Sequence, residues 1–257
     1  MPPSSPPSGA LSPHLSRSVL LLSFATFASM SVQRLCDAML PALSAEFMVT
    51  LPQAARVVSA FAVVYGVAQL IYGPLGDRLG KFRIVALTTM ACSLGSLLAV
   101  FSPSLDLLVM ARMLVALFAA ALIPLSLAWI GDVVPYAQRQ ATLARAGLGT
   151  TLGIVGGQLI GGVLADTLGW RWAFAGSALM FGVVGALLWQ EWRRQQADPA
   201  LRPAPAAPGA RRTGFMAQAW PILRARWTRF VLLVALVEGA SSFGLLAIWA
   251  SHLHREL

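Results

Sequence analysis

Gly73-Pro74-Leu75-Gly76-Asp77-Arg78-Leu79-Gly80-Lys81-Phe82-Arg83 is the stretch on which the reading of this chain turns. Asp77, Arg78, Lys81 and Arg83 crowd into it, while on either side the sequence stays apolar for a long run, near 54 to 76 and 83 to 102. A bilayer core about 30 Å thick needs about 20 mostly apolar helical residues to cross it, so both flanks read as spanning helices and the charged segment as the turn between them. The glycines Gly73 and Gly80 permit a tight turn and a close approach of the two helices. The charges can form ion pairs in one conformation and release them in another.

Outward from this turn the same pattern recurs. Further spans are predicted near 18 to 41, 105 to 131, 141 to 165, 172 to 192 and 230 to 250, separated by short turns such as Leu51-Pro52, Ser102-Pro103, Val134-Pro135 and Leu168-Gly169. With 57% hydrophobic and 11% charged residues, the chain falls well below the roughly 25% charge of soluble domains, so its surface must largely face lipid. The net charge of +9 does not point to nucleic acid, because Lys and Arg gather in the turns and not along one basic face.

Residues 1–17, rich in Pro and Ser and without a basic start, read as a disordered tail and not as a removable leader, and 18–192 as a six-helix bundle. Residues 193–229, with Asp198-Pro199-Ala200-Leu201-Arg202-Pro203, read as a basic linker, and 230–257 as a seventh helix opening a second half. Counting Lys and Arg at the two sides of the spans gives fourteen against three, which places the amino terminus and the linker in the cytoplasm. Trp129, Trp170, Trp172, Trp189, Trp192, Trp227 and Trp249 fall near predicted helix ends, where indoles favour the headgroup level. The segment 215–229, with Trp220 and Trp227 among arginines, reads as lying on the membrane surface.

The Gly73 to Arg83 segment, placed between two spans, resembles the signature loop of the major facilitator superfamily. Leu108-Val109-Met110-Ala111-Arg112 is similar to the L-x-x-x-R element of its fourth helix. Gly153-Ile154-Val155-Gly156-Gly157-Gln158 resembles the glycine motif of its antiporter branch, with Gln158 in the usual place of proline, and Gly169-Trp170-Arg171-Trp172 looks like the turn before the sixth helix of bacterial efflux members. The resemblance implies an all-α membrane fold: a six-helix amino-terminal bundle of 3+3 inverted repeats plus the first helix of a second half. It also implies a secondary transporter of a small organic solute, with proton-coupled efflux by alternating access, in the inner membrane. A sugar or metabolite porter of the same superfamily and a non-transporting membrane fragment are the alternatives.

Ionisable residues inside a span are costly and suggest function by default. Arg34 and Asp37 lie three apart in the first span, Arg112 lies in the fourth, and Glu238 lies mid-way along the seventh. Alternating helix directions put Asp37 and Arg112 at similar depth, where they could pair. Such pairs either fix the packing or, with Asp37 or Glu238 taking up a proton or a substrate cation, couple protonation to opening of the cavity. The resemblance implies that these four residues face the transport pathway. Asp132, at the end of the fourth span, is a candidate latch partner for Arg78 or Lys81, and Pro124 is expected to bend that span.

Gly149, Gly153, Gly157 and Gly161, with Gly162 beside the last, form a stripe every fourth residue along which another helix can pack closely. In the family that partner belongs to the second half, so self-association or a missing carboxy-terminal half is expected to supply it. No cluster of Asp, His, Glu, Ser or Cys suggests an enzyme, Cys36 and Cys92 form no redox or metal motif, and no cofactor or metal is expected. His14, His252 and His254 read as solvated end residues.

Overall fold

The computed structural model describes residues 11–198 and, beyond them, 224–231, 233, 234, 237, 238 and 241. The chain divides into two units, Met1–Pro208 and Gly209–Leu257. In the first, the helices are α1 (Pro13–Arg34), α2 (Leu40–Glu46), α3 (Leu51–Ala54), α4 (Arg56–Leu79), α5 (Lys81–Val100), α6 (Leu105–Ala119), α7 (Leu122–Val133), α8 (Tyr136–Thr167) and α9 (Trp170–Ala197). Among the described residues six stretches are long and apolar enough to cross a membrane: α1, α3 with α4, α5, α6 with α7, α8 and α9. The described residues of the second unit include Trp227 and Phe230, whose rings meet edge to face. The greater part of the linker, of the surface segment 215–229 and of the seventh span lies outside the described residues, as do residues 1–10.

Several boundaries move for local reasons. The first span ends at Arg34, and the turn of residues 35–39 carries Asp37 out of the helix. The short α2 follows, with Pro41 in its first turn, where the absent N–H is not missed. The fourth span is two helices with a break at Ala120 and Ala121. Pro124 accounts for this break, since it cannot donate to the carbonyl four residues back, that of Ala120. The α4 to α5 turn is a single residue, Gly80, at φ 91°, a conformation costly for any side chain with a Cβ.

We call the end of the bundle at which α1 begins the near end, and the other the far end. The closest helix pairings are α1 with α8, α5 with α9, α5 with α6 and α4 with α6, and three of them fit a 3+3 pattern. Spans one and five (α1 with α8) and spans two and four (α4 with α6) are related pairs, and spans three and six (α5 with α9) map onto themselves. The first two pairings are parallel and the third antiparallel. Apolar side chains fill the interior in two clusters along the bundle, a larger one around Leu22, Phe61, Leu122 and Phe181 and a far-end one around Leu35, Leu43, Leu108 and Phe174.

Candidate functional site

Arg112 is the largest fully buried side chain described in the bundle. Its Nη1 donates to the carbonyl of Val32 on α1 at 2.8 Å and its Nε to that of Val57 on α4 at 3.5 Å. The guanidinium lies over the Phe61 ring, 4.1 Å from its centroid, an arrangement worth about 2 kcal/mol when desolvated. Its Nη2 is buried and has no hydrogen-bond partner among the described residues. A buried cation held by carbonyls and a ring alone carries a desolvation cost of several kcal/mol.

Asp37 is within electrostatic reach of Arg112, yet its hydrogen-bonding partner is Arg34. Arg34 Nη1 reaches its Oδ2 at 3.4 Å, each side chain a quarter exposed. The pairing of Asp37 with Arg112 anticipated from their depth is therefore not the arrangement seen. The turn at 35–39 keeps the carboxylate on its own helix end, and Arg112 turns to α1 and α4 backbone instead. Glu238 is helical but belongs to the second unit.

At the near end Lys81 binds two carboxylates, Asp132 of α7 at 2.5 Å and Asp77 of α4 at 3.4 Å. The ion-pair partner of Asp132 is thus Lys81, with Arg78 exposed. Arg83 turns aside and lies over Trp192 of α9, 5.5 Å from its centroid. The close approach in this loop is made by Gly76, where a Cβ would stand 2.5 Å from Leu125 Cδ2, whereas Gly73 faces open space.

The glycine stripe of α8 lies against α1 and not against a helix of a second half. A Cβ on Gly149, Gly153, Gly157 or Gly161 would stand 2.2–2.6 Å from the carbonyl oxygens of Ser23, Phe27, Ser31 and Leu35 respectively. Every pair is offset by the same 126 residues in sequence, as 157 less 31 shows, so two parallel helices share one register over three turns. Removing Cβ lets the glycine Cα–H groups meet the α1 carbonyls directly, a weak hydrogen bond that recurs at tight helix interfaces. Gly162 lies beside this seam, its Cβ position 3.3 Å from that of Ala38.

Two carboxylates escape sequence reasoning. Glu46, on α2, accepts from Trp170 Nε1 and from Arg171 Nη1. Arg171 Nη2 also donates to the Ser102 carbonyl at 3.4 Å, so the Gly169-Trp170-Arg171-Trp172 segment clamps two far-end loops to α9. Burial pushes the Glu46 carboxyl up, but the bonds from Arg171 and Trp170 outweigh it and hold the group below its ordinary range. Glu191, near the end of α9, is buried and bound to Ser18 and Arg17 of α1. Trp129 and Trp170 are likewise buried, against Phe82 and Phe174, so their indoles pack inside the bundle and do not face lipid.

Comparison with known proteins gives this arrangement a family. The chain is 29% identical over 155 residues to the probable multidrug resistance protein EmrY of Escherichia coli (strain K12), covering 60% of this chain and 30% of that one. It is 28% identical over 130 residues to the riboflavin transporter RibZ of Clostridioides difficile (strain 630), covering 51% and 28%. These matches span less than a third of the relatives' own length. The fold resembles that of the POT family transporter PepTSo, with a TM-score of 0.64 at 19% identity over 90% of this chain and 48% of that one. It also resembles an inward-facing bacterial homolog of the human lysosomal transporter Spinster, with a TM-score of 0.62 at 19% identity over 84% and 49%. The model of the Major Facilitator Superfamily matches residues 6–257, and with its multi-pass helical bundle the chain belongs to that family of transporters, which are not enzymes.

Proposed function

We propose that this chain is the amino-terminal part of a proton-coupled exporter of small organic solutes that works by alternating access. The observation that carries the reading is the buried Arg112 with its unused Nη2, beside the partly exposed Arg34–Asp37 pair. Asp37 is the proton carrier, and Arg112 with Arg34 sets its charge balance. A deprotonated Asp37 or an anionic group of the solute takes the open Arg112 donor. In the alternating-access reading a second half supplies the opposing wall of the cavity.

The near end lies in the cytoplasm, in accord with fourteen basic residues against three, and the bilayer is the inner membrane. Residues 193–229 act as the cytoplasmic linker between the halves. The name of EmrY favours efflux of varied solutes, and that of RibZ supports the second reading, movement of a metabolite.

The test uses the intact transporter, this chain continued by its second half, in proteoliposomes with a proton-sensitive dye inside. A cationic dye substrate of multidrug exporters should elicit proton movement in the native chain. The Asp37→Asn variant should abolish that movement while the helical circular dichroism stays native. Equal proton flux in the native protein and Asp37→Asn would remove Asp37 as carrier, and no flux with any solute would remove the transport reading.

A further inference from the structure

The near end of α9 gathers cations and rings that the transport reading does not use. Trp189 and Trp192 stack with centroids 4.5 Å apart. Arg193 lies over Trp189 at 5.6 Å and Arg83 of α5 over Trp192 at 5.5 Å. Arg17 of α1 joins them through Glu191, its Nε 3.2 Å from Oε2. The Ser18 hydroxyl donates to Glu191 Oε1 at 3.0 Å, and Gln195 Nε2 donates to Ser18 Oγ at 3.0 Å.

Charge is distributed unevenly in this group. The Glu191 side chain is 4% exposed and both its oxygens are occupied, so its negative charge scarcely reaches the surface, whereas the Arg17 side chain is 42% exposed. Bonding through Nε leaves the two terminal nitrogens of Arg17 without a partner among the described residues, and a guanidinium fork of that kind suits a phosphate. Arg83 and Arg193 are exposed as well. Arg83 and Arg193 thus each lie over one ring of the indole pair, and Arg17 joins the same end of α9 through the buried carboxylate of Glu191.

We propose that this group binds the headgroup phosphate of an anionic phospholipid. The source is a lipid and not a soluble anion, because the surfaces beneath the arginines are built for acyl chains. Along α9 the exposed residues Leu187, Val183 and Leu179 follow one another every four positions, and α5, packed antiparallel to it, exposes Leu87, Met90 and Leu94. Indole rings at the headgroup level and arginines above an apolar wall match both ends of such a molecule. The proposal rests on the membrane-spanning architecture alone and stands whether or not the chain transports a solute.

Native mass spectrometry of the detergent-purified full chain tests it, with phosphatidylglycerol or phosphatidylcholine of identical acyl chains added. The native chain should hold phosphatidylglycerol more tightly, by on the order of fivefold for each arginine engaged. Replacing Arg17, Arg83 and Arg193 together by Gln should erase the preference and leave phosphatidylcholine binding unchanged. Arg56→Gln, at the far end, should retain it. Where the triple variant does not fold, Arg193→Gln alone should lower phosphatidylglycerol affinity. Equal retention of both lipids, a preference that survives these substitutions, an equal loss in Arg56→Gln, or displacement by excess inorganic phosphate would each overturn the site.

Discussion

At the scale of single residues, charge placement decides what each group can do. Arg112 was legible as a costly residue in an apolar run, but its surroundings were not. Its partners Val32 and Val57 are 80 and 55 positions away and contribute only backbone, which no side-chain pattern announces. Glu46 gave no signal at all, since a lone acid between two spans reads as a solvated loop residue.

Glu46 nonetheless carries a pH dependence of definite sign. Its folded-state carboxyl titrates below its ordinary value of 4.5, so the clamp to Arg171 and Trp170 is fully present above that value and is lost as pH falls through the lowered one. Thermal unfolding of the purified chain, followed from neutral pH downward, should therefore show a loss of stability below 4.5 that is smaller in Glu46→Gln. Parallel curves for the two proteins would show that the clamp does not contribute.

At the scale of elements, the α1–α8 seam is the tightest contact described. A Cβ at Gly157 would stand 2.2 Å from the Ser31 carbonyl oxygen, and backbone at both sides leaves no flexible side chain to yield. Gly157→Ala should destabilise the bundle by about 1–3 kcal/mol, the usual cost of overpacking. Gly147→Ala, where nothing lies within 4 Å, should be neutral or slightly stabilising through helix propensity. Unfolding in mixed detergent micelles with a graded denaturant checks both, and equal midpoints for the two variants would contradict the seam. The spacing of the stripe was legible because every fourth residue shares a helix face. Its partner was not, because the α1 side of the seam is carbonyl oxygens under Ser23, Phe27, Ser31 and Leu35, a mixed set with no pattern of its own. The bend at Pro124 was foreseen, and its reach to a full break at Ala120 and Ala121 follows from the lost donor.

At the scale of the molecule, length and hydropathy were enough to find the six spans of the bundle, since lipid imposes both. The turn from Gly73 to Arg83 supplied the family. The resemblance could not say which charges meet at the near end, where Lys81 holds Asp132 and Asp77 together across α4, α5 and α7. If this tie closes the near end in one state, Asp132→Asn should shift the balance between states. Maleimide labelling of Cys36, with Cys92 replaced by Ala, reads that shift as a change in rate, and an unchanged rate would count against the latch. The constant offset along the α1–α8 seam also has a meaning in time. The first span leaves the ribosome 126 residues before the glycines that pack on it. At about 5–20 residues per second, that is an interval of about 6–25 s. Throughout it the nascent first helix lies in the bilayer without its closest neighbour. Biogenesis factors and quality-control proteases therefore meet this protein first as an unpaired helix, and a mutation that delays α8 lengthens that exposure without altering a contact of the finished fold.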